Sequence, residues 1–248
     1  PTATGTPTLT PTTSATPSPT ATASVTPTPT PPPTEPPHPI YLPVTLNEQC
    51  LPHQIRQDVV LVLDTSSSMS AATRAGRRKI DAAREAALGY LALHKHEDGD
   101  RAAVVTFDAT ARIVERLSSH RPTLEAALRD ASLGIQTCIP CAMEAAAAEL
   151  APPRRRDGNT PVIVLLTDGR SNPRPVAEAV DLAARAKDTG IVVYTIGLGD
   201  DLDLEALEAM ASRPSFFFRA PDAEDLAAIY ASIAVDVPCP AARFWGGR

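Results

Sequence analysis

The sequence predicts an α/β fold: a doubly wound, mostly parallel central sheet with helices on both faces and one antiparallel edge strand. Three observations carry this. Short apolar, β-branched runs recur along the chain, Val59-Val60-Leu61-Val62-Leu63 being the first. Strands buried on both faces read this way, and such burial is characteristic of parallel sheets. Stretches with apolar positions at three- and four-residue spacing separate most of these runs, the alternation expected of a doubly wound sheet. One pair of strand-like pieces has only a turn between them, which antiparallel pairing allows.

In chain order, Val59–Leu63 is the first strand and Ile80–Leu93 the first helix. Ala102–Phe107 is a second buried strand. Over Thr106–Leu117 two strand-like pieces flank Asp108-Ala109-Thr110, which reads as a hairpin and supplies the antiparallel edge. Cys141–Leu150 has helical spacing, Val162–Leu166 is a buried strand, and Val176–Ala186 is again helical. The pattern closes with strand Ile191–Ile196, helix Leu204–Ala211, last strand Phe216–Phe218 and helix Ala223–Ile233. About 190 residues between Cys50 and Cys239 suit one such domain.

The rest of the chain has a different composition. Of the 26 prolines in 248 residues, fourteen lie within residues 1–43, with fourteen threonines, and Glu35 is the only Asp, Glu, Lys or Arg there. Such a segment has little apolar surface to offset the entropy of ordering its backbone. Proline removes amide donors and favours polyproline II, so residues 1–43 are expected to form a semi-rigid linker or stalk. Its Ser/Thr content with Pro also suits O-glycosylation. The expected organisation is therefore linker 1–43, domain 44–240 and tail 241–248.

Composition also excludes some functions. The net charge is -6, and no basic stripe is present to track nucleic acid. No apolar run approaches the roughly 18 residues of a membrane span. The five histidines do not sit in a nucleophile-like context after a strand, and no glycine-rich phosphate loop is present.

In open α/β sheets, ligands bind outside the carboxyl ends of the strands. The first strand is followed by Asp64-Thr65-Ser66-Ser67-Ser68, and the strand Val162–Leu166 by Thr167-Asp168-Gly169. The loop Gly134-Ile135-Gln136-Thr137 leads into the helix at 141–150. Asp64, Ser66, Ser68, Thr137 and Asp168 together offer two carboxylates and three hydroxyls, with no imidazole. Hard oxygen donors in a small cage suit Mg²⁺, with Mn²⁺ or Ca²⁺ as alternatives. A competing reading of Asp64 and the serines is a helix N-cap, but it leaves Thr137 and Asp168 unexplained.

These pieces, in this order, resemble the metal-ion-dependent adhesion site of a von Willebrand factor type A domain: Asp64-x-Ser66-x-Ser68, then Thr137 some seventy residues later, then Asp168-Gly169. Ile196-Gly197-Leu198-Gly199-Asp200 is similar to the family's fifth-strand exit. The resemblance spans about residues 56–236. Ser67 departs from it, since many relatives carry Gly there, but all five candidate ligands remain. The resemblance implies a Rossmann-like fold. It also implies that Ser66, Ser68 and Thr137 ligate the metal directly or through water, with Asp64 and Asp168 doing so in either way according to state. The partner, a protein or glycan ligand, would complete the sphere with an Asp or Glu carboxylate. Few directly bound carboxylates leave the ion net positive, which favours an acidic ligand.

Four cysteines allow three pairings. The resemblance implies that the domain's ends lie close together, so that Cys50–Cys239 form a clasp and Cys138–Cys141 pair locally beside Thr137. Two cysteines at the domain limits suit an oxidising compartment. With the Pro/Thr spacer they lead to an expected extracellular or cell-surface location, although no leader peptide is visible. Cys138-Ile139-Pro140-Cys141 also resembles a thioredoxin-type motif at a helix N-terminus, where a thiol's pKa falls. The expected function is a metal-dependent adhesion module that is not an enzyme. A thiol–disulfide oxidoreductase using Cys138 and Cys141, or a structural or assembly subunit, is the alternative. His94, His96, Glu97 and Asp98 read as a solvated helix end, Arg154–Arg156 as loop surface, and Asp200, Asp201 and Asp203 as a cap for the helix at 204–211.

Overall fold

The computed structural model describes residues 56–237. The expected linker 1–43, the tail 241–248 and the Cys50–Cys239 clasp lie outside the described residues.

Six strands form one sheet: β1 (Gln57–Asp64), β2 (Arg101–Phe107), β3 (Ala111–Ser118), β4 (Thr160–Thr167), β5 (Val192–Leu198) and β6 (Phe217–Ala220). Their order is β3-β2-β1-β4-β5-β6. All neighbours pair in parallel except β2 with β3. The antiparallel strand is therefore at an edge, as the hairpin around Asp108–Thr110 predicts. Every residue of β1 and of β4 is buried, whereas β3 alternates between half-buried and exposed over most of its length. The fully apolar runs belong to central strands because those have a helix layer on each face.

The helices are α1 (Lys79–Leu93), α2 (Arg121–Arg129), α3 (Ile139–Glu149), α4 (Val176–Asp188), α5 (Leu204–Met210) and α6 (Leu226–Val235). Side chains alternate across the strands, which divides the core in two. Val59, Leu61 and Leu63 pack with Ile80 of α1, Leu124 of α2 and Tyr230 of α6. Val60 and Val62 face Met143 of α3, Ala183 of α4 and Leu207 of α5.

Some elements differ from the sequence expectation. Helix α2 lies where none is predicted. Only Leu124, Ala127 and Leu128 of its nine residues are buried, which is too short an apolar pattern to stand out among charges. The last helix is preceded by a separate 3₁₀ turn, Ala223–Asp225, with an Asp222/Asp225 capping box. The end of α1 is a correction. His94 is buried rather than solvated, at 7% exposure, and its Nε2 lies 3.9 Å from Asp100 Oδ2. The charges at Lys95, Glu97 and Asp98 face outward and obscure this in the sequence. Burial pushes the His94 imidazole down to about 3, with His96 adding to the effect. Asp203 does cap α5, accepting from the Ala206 amide at 3.2 Å.

Candidate metal centre

The sheet order reverses between β1 and β4: the chain runs outward from β1 to β2 and β3 on one side, and from β4 to β5 and β6 on the other. This is a topological switch point, where the loops leaving two adjacent parallel strands diverge and leave a crevice. Asp64 is the last residue of β1, and Asp168 follows the last residue of β4. Chain connectivity alone therefore delivers the two carboxylates to one spot.

After Asp64 the chain enters a short 3₁₀ turn, Ser67–Ser70, with Met69 buried beneath it. Ser66 stands at the N-cap position of this turn, yet its side chain makes no capping hydrogen bond. Its hydroxyl lies instead 2.9 Å from the hydroxyl of Ser68. Ser68 Oγ donates to Asp168 Oδ1 at 2.5 Å. The three oxygen-bearing side chains thus form one chain of contacts across the crevice. The capping alternative loses its main support, because the hydroxyl it would use points elsewhere.

Thr137 arrives from a third direction. Its backbone forms an isolated antiparallel bridge with Asn172, with N···O distances of 3.2 and 3.0 Å. The preceding loop is pinned at Gly134, whose amide donates to the Thr65 carbonyl at 2.7 Å. A Cβ at Gly134 would collide with the Asp108 carboxylate, so only glycine allows the loop to sit this close to the β2–β3 turn. The next residue, Cys138, donates its amide to the Asp108 carbonyl at 2.7 Å. The crevice floor is left open at Gly169: a methyl group there would lie 3.6 Å from Thr137 Oγ1 and 3.9 Å from Ser68 Oγ. Thr137 is buried and Ser68 is exposed, so the cluster opens to solvent on the Ser68 side.

Asp64 is completely buried. Its Oδ1 accepts from the Ser66 amide at 2.8 Å and its Oδ2 from the Thr167 hydroxyl at 2.6 Å. Burial nevertheless dominates and pushes the carboxyl up to about 6, against the lowering effect of these bonds, with the nearby Asp168 charge raising it slightly. A buried carboxylate favours its neutral form unless a positive charge compensates it. Two carboxylates and three hydroxyls around a gap, one carboxylate under-compensated, form a donor set that fits a small hard dication. Among the described residues no group of three or more His, Cys, Asp or Glu side chains could hold an ion. Beyond its two carboxylates the cluster relies on hydroxyls, so its charge is low for a metal site.

Two contributors are not singled out by the sequence reading. Thr167 orients Asp64. Lys79, the first residue of α1, places its ammonium 2.8 Å from Asp168 Oδ2. Thr167 adjoins Asp168 at the end of β4, so its position carries a local signal. Lys79 is 89 residues from Asp168, and no local pattern links them.

Cys138 and Cys141 are joined by a disulfide with a Cα–Cα distance of 5.3 Å. Cys138 caps α3, its sulfur accepting from the Cys141 amide at 3.3 Å, and is fully buried. The bridge therefore fastens the residue after Thr137 to the first turn of the helix. Arg154 and Arg156 are exposed and Arg155 is half-buried in a loop. Asp200 and Asp201 pair with Arg219 and Arg170.

Comparison with known proteins agrees with this architecture. The sequence pattern of the von Willebrand factor type A domain matches residues 58–232. Mouse matrilin-3 is 34% identical over 122 residues, covering 46% of this chain and 24% of matrilin-3. Mouse matrilin-2 is 36% identical over 90 residues, covering 35% of this chain and 9% of matrilin-2. The chain thus spans a quarter or less of either matrilin. Among solved structures, proximal thread matrix protein 1 from the mussel byssus, with a zinc-occupied MIDAS motif, superposes with a TM-score of 0.65 at 24% identity, covering 73% of this chain and 45% of that one. A pilus adhesin of Lactobacillus rhamnosus GG superposes with a TM-score of 0.63 at 18% identity, covering 73% and 30% respectively. At these identities the structural likeness speaks for the fold. No helix among the described residues is long and apolar enough to cross a membrane.

Proposed function

Because the chain belongs to the von Willebrand factor type A domain family, we propose that it is a binding module of the adhesion or matrix type, acting through a divalent cation held by Asp64, Ser66, Ser68, Thr137 and Asp168. The observation that carries this reading is the convergence of those side chains at the switch point, with the Ser66 hydroxyl turned toward Ser68 instead of its helix end.

The chain's own residues have distinct tasks in this reading. Ser66, Ser68 and Thr137 offer neutral oxygens. Asp64 and Asp168 supply the negative charge, Asp64 held in orientation by Thr167 and the Ser66 amide. The Gly134–Asp108 contact and the Cys138–Cys141 bridge hold Thr137 in place. A bound dication would provide a net positive point for an incoming carboxylate, supplied by an Asp or Glu of a protein ligand or by an acidic glycan. Mg²⁺ is the proposed ion from the donor chemistry, with Mn²⁺ and Ca²⁺ as alternatives. The zinc in the mussel protein's motif supports a dication at such a centre.

The proposed setting is extracellular or at the cell surface. It is supported by the disulfide beside the centre and by the relatives, a matrix protein of the byssus and a pilus adhesin among them. Residues 1–43 would act as the stalk, 44–240 as the domain closed by a Cys50–Cys239 clasp, and 241–248 as a tail.

Calorimetric titration with Mg²⁺ and Mn²⁺, together with capture from native surface material with and without EDTA, tests the reading. Saturable cation binding and EDTA-sensitive capture are expected for the wild type, and Asp64→Ala is expected to lose both. No saturable binding of either ion by the wild type would overturn it.

A further inference from the structure

Lys79 sits where a lysine has little reason to be. It is the first residue of α1, and the positive end of the helix dipole disfavours cations there. Its position is nonetheless tightly set. Its amide donates to the Ala71 carbonyl at 2.9 Å, next to a backbone bridge between Ala72 and Arg78. The side chain runs inward, only 22% exposed, to an Asp168 side chain with no exposure. On its other side the ammonium lies 3.5 Å from where a methyl group on Gly199 would be. Asp168 is thus divided: Oδ1 accepts from Ser68 on the metal-centre side, and Oδ2 faces Lys79.

A buried carboxylate needs a compensating charge. Lys79 supplies it without any metal. With Asp64 and Asp168 ionised, the ammonium leaves the centre with one net negative charge instead of two. A dication then makes the loaded centre net positive, the sign that attracts a carboxylate, whereas without Lys79 it would be neutral. The same ammonium repels the dication across a single carboxylate.

We propose that Lys79 is the internal counter-cation of the metal centre, compensating Asp168 in the metal-free protein and setting a higher concentration threshold for cation binding. This rests on the metal-centre reading above. A charge and a dication separated by roughly one side chain repel enough, even at the dielectric of water, to change affinity about tenfold.

The test is Mn²⁺ titration by calorimetry of the wild type, Lys79→Met and Lys79→Arg at low salt. Lys79→Met is expected to bind Mn²⁺ about tenfold more tightly, with the gap narrowing as salt rises. Lys79→Arg is expected to stay near the wild type. In EDTA, Lys79→Met is expected to melt below the wild type and to recover when Mn²⁺ is added. Equal or weaker Mn²⁺ binding by Lys79→Met would overturn the proposal while leaving the metal centre intact. No saturable binding by any of the three would overturn both. If Lys79→Met does not fold in EDTA, refolding with Mn²⁺ replaces the titration. Rescue is expected, and its failure overturns the proposal.

Discussion

Replacing Asp64 with Asn, and following stability against pH in EDTA, probes the physical basis of the centre most directly. In the metal-free protein, burial raises the Asp64 carboxyl from 3.8 to about 6. The folded state therefore holds this proton more tightly than the unfolded chain does. The resulting stability is fully present below about pH 4 and is lost as pH rises through about 6. At 1.36 kcal/mol per pH unit, the loss across that window is about 3 kcal/mol. Asn cannot ionise, so Asp64→Asn lacks this dependence. It does place an amide among two donors, the Ser66 N–H and the Thr167 hydroxyl, and one lost hydrogen bond costs about 1 kcal/mol. That offset does not vary with pH, so the slope is the diagnostic.

In EDTA, Asp64→Asn should gain about 3 kcal/mol relative to the wild type between pH 4 and 7, or roughly 6–12 °C in melting midpoint for a domain of this size. Saturating Mg²⁺ should reverse the ranking, because the ion binds the ionised carboxylate and competes with the proton. The stabilisation conferred by Mg²⁺ should then grow with pH through about 6, flattening the fall seen in EDTA, with Asp64→Asn unaffected by the ion. A wild-type–variant difference that stays flat from pH 4 to 7 in EDTA would refute the reasoning.

Three further outcomes are expected. His94, held down at about 3 by burial, has the opposite sign. Its folded value is depressed, so its contribution is present above about pH 6.5 and is lost as pH falls toward 3. His94→Phe, which removes two buried ring nitrogens without protein partners, should match or exceed wild-type stability at pH 7.5. By pH 4.5 its advantage over the wild type should have grown by about 3 kcal/mol, measured by urea denaturation. Ser66→Ala should cost about 1 kcal/mol in EDTA, the lost hydrogen bond to Ser68, yet abolish Mg²⁺ binding in calorimetry; a loss of stability with Mg²⁺ binding intact would remove Ser66 from the metal centre. Gly134→Ala should force the Thr137 loop away from Asp108, costing about 1–3 kcal/mol and weakening Mn²⁺ binding, with both effects read from one metal-dependent melting series.

The strand pattern was legible because central strands carry no polar face. The runs at 59–63 and 162–166 lie within the fully buried β1 and β4, and a hairpin with only a turn marked the antiparallel edge. Asp64, Ser66, Ser68 and Asp168 were legible because they stand in short strings at strand ends, whereas Thr137 stands in the loop that leads into α3. Other features gave no local signal. Helix α2 buries too few residues to show its period, and His94 hides among outward-facing charges.

Residue types and their order thus determined which elements form and which oxygens reach the switch point, since strand burial and chain direction are local properties written in hydrophobic pattern. How those oxygens are set relative to one another was decided by tertiary structure alone. Thr167 orients Asp64 across two neighbouring strands, Gly134 makes room for Asp108, and Lys79 reaches from the start of α1 to meet Asp168 after β4. These relations depend on contacts between residues dozens of positions apart, and on a burial that turns a carboxylate's charge from a small cost into a demand for a cation.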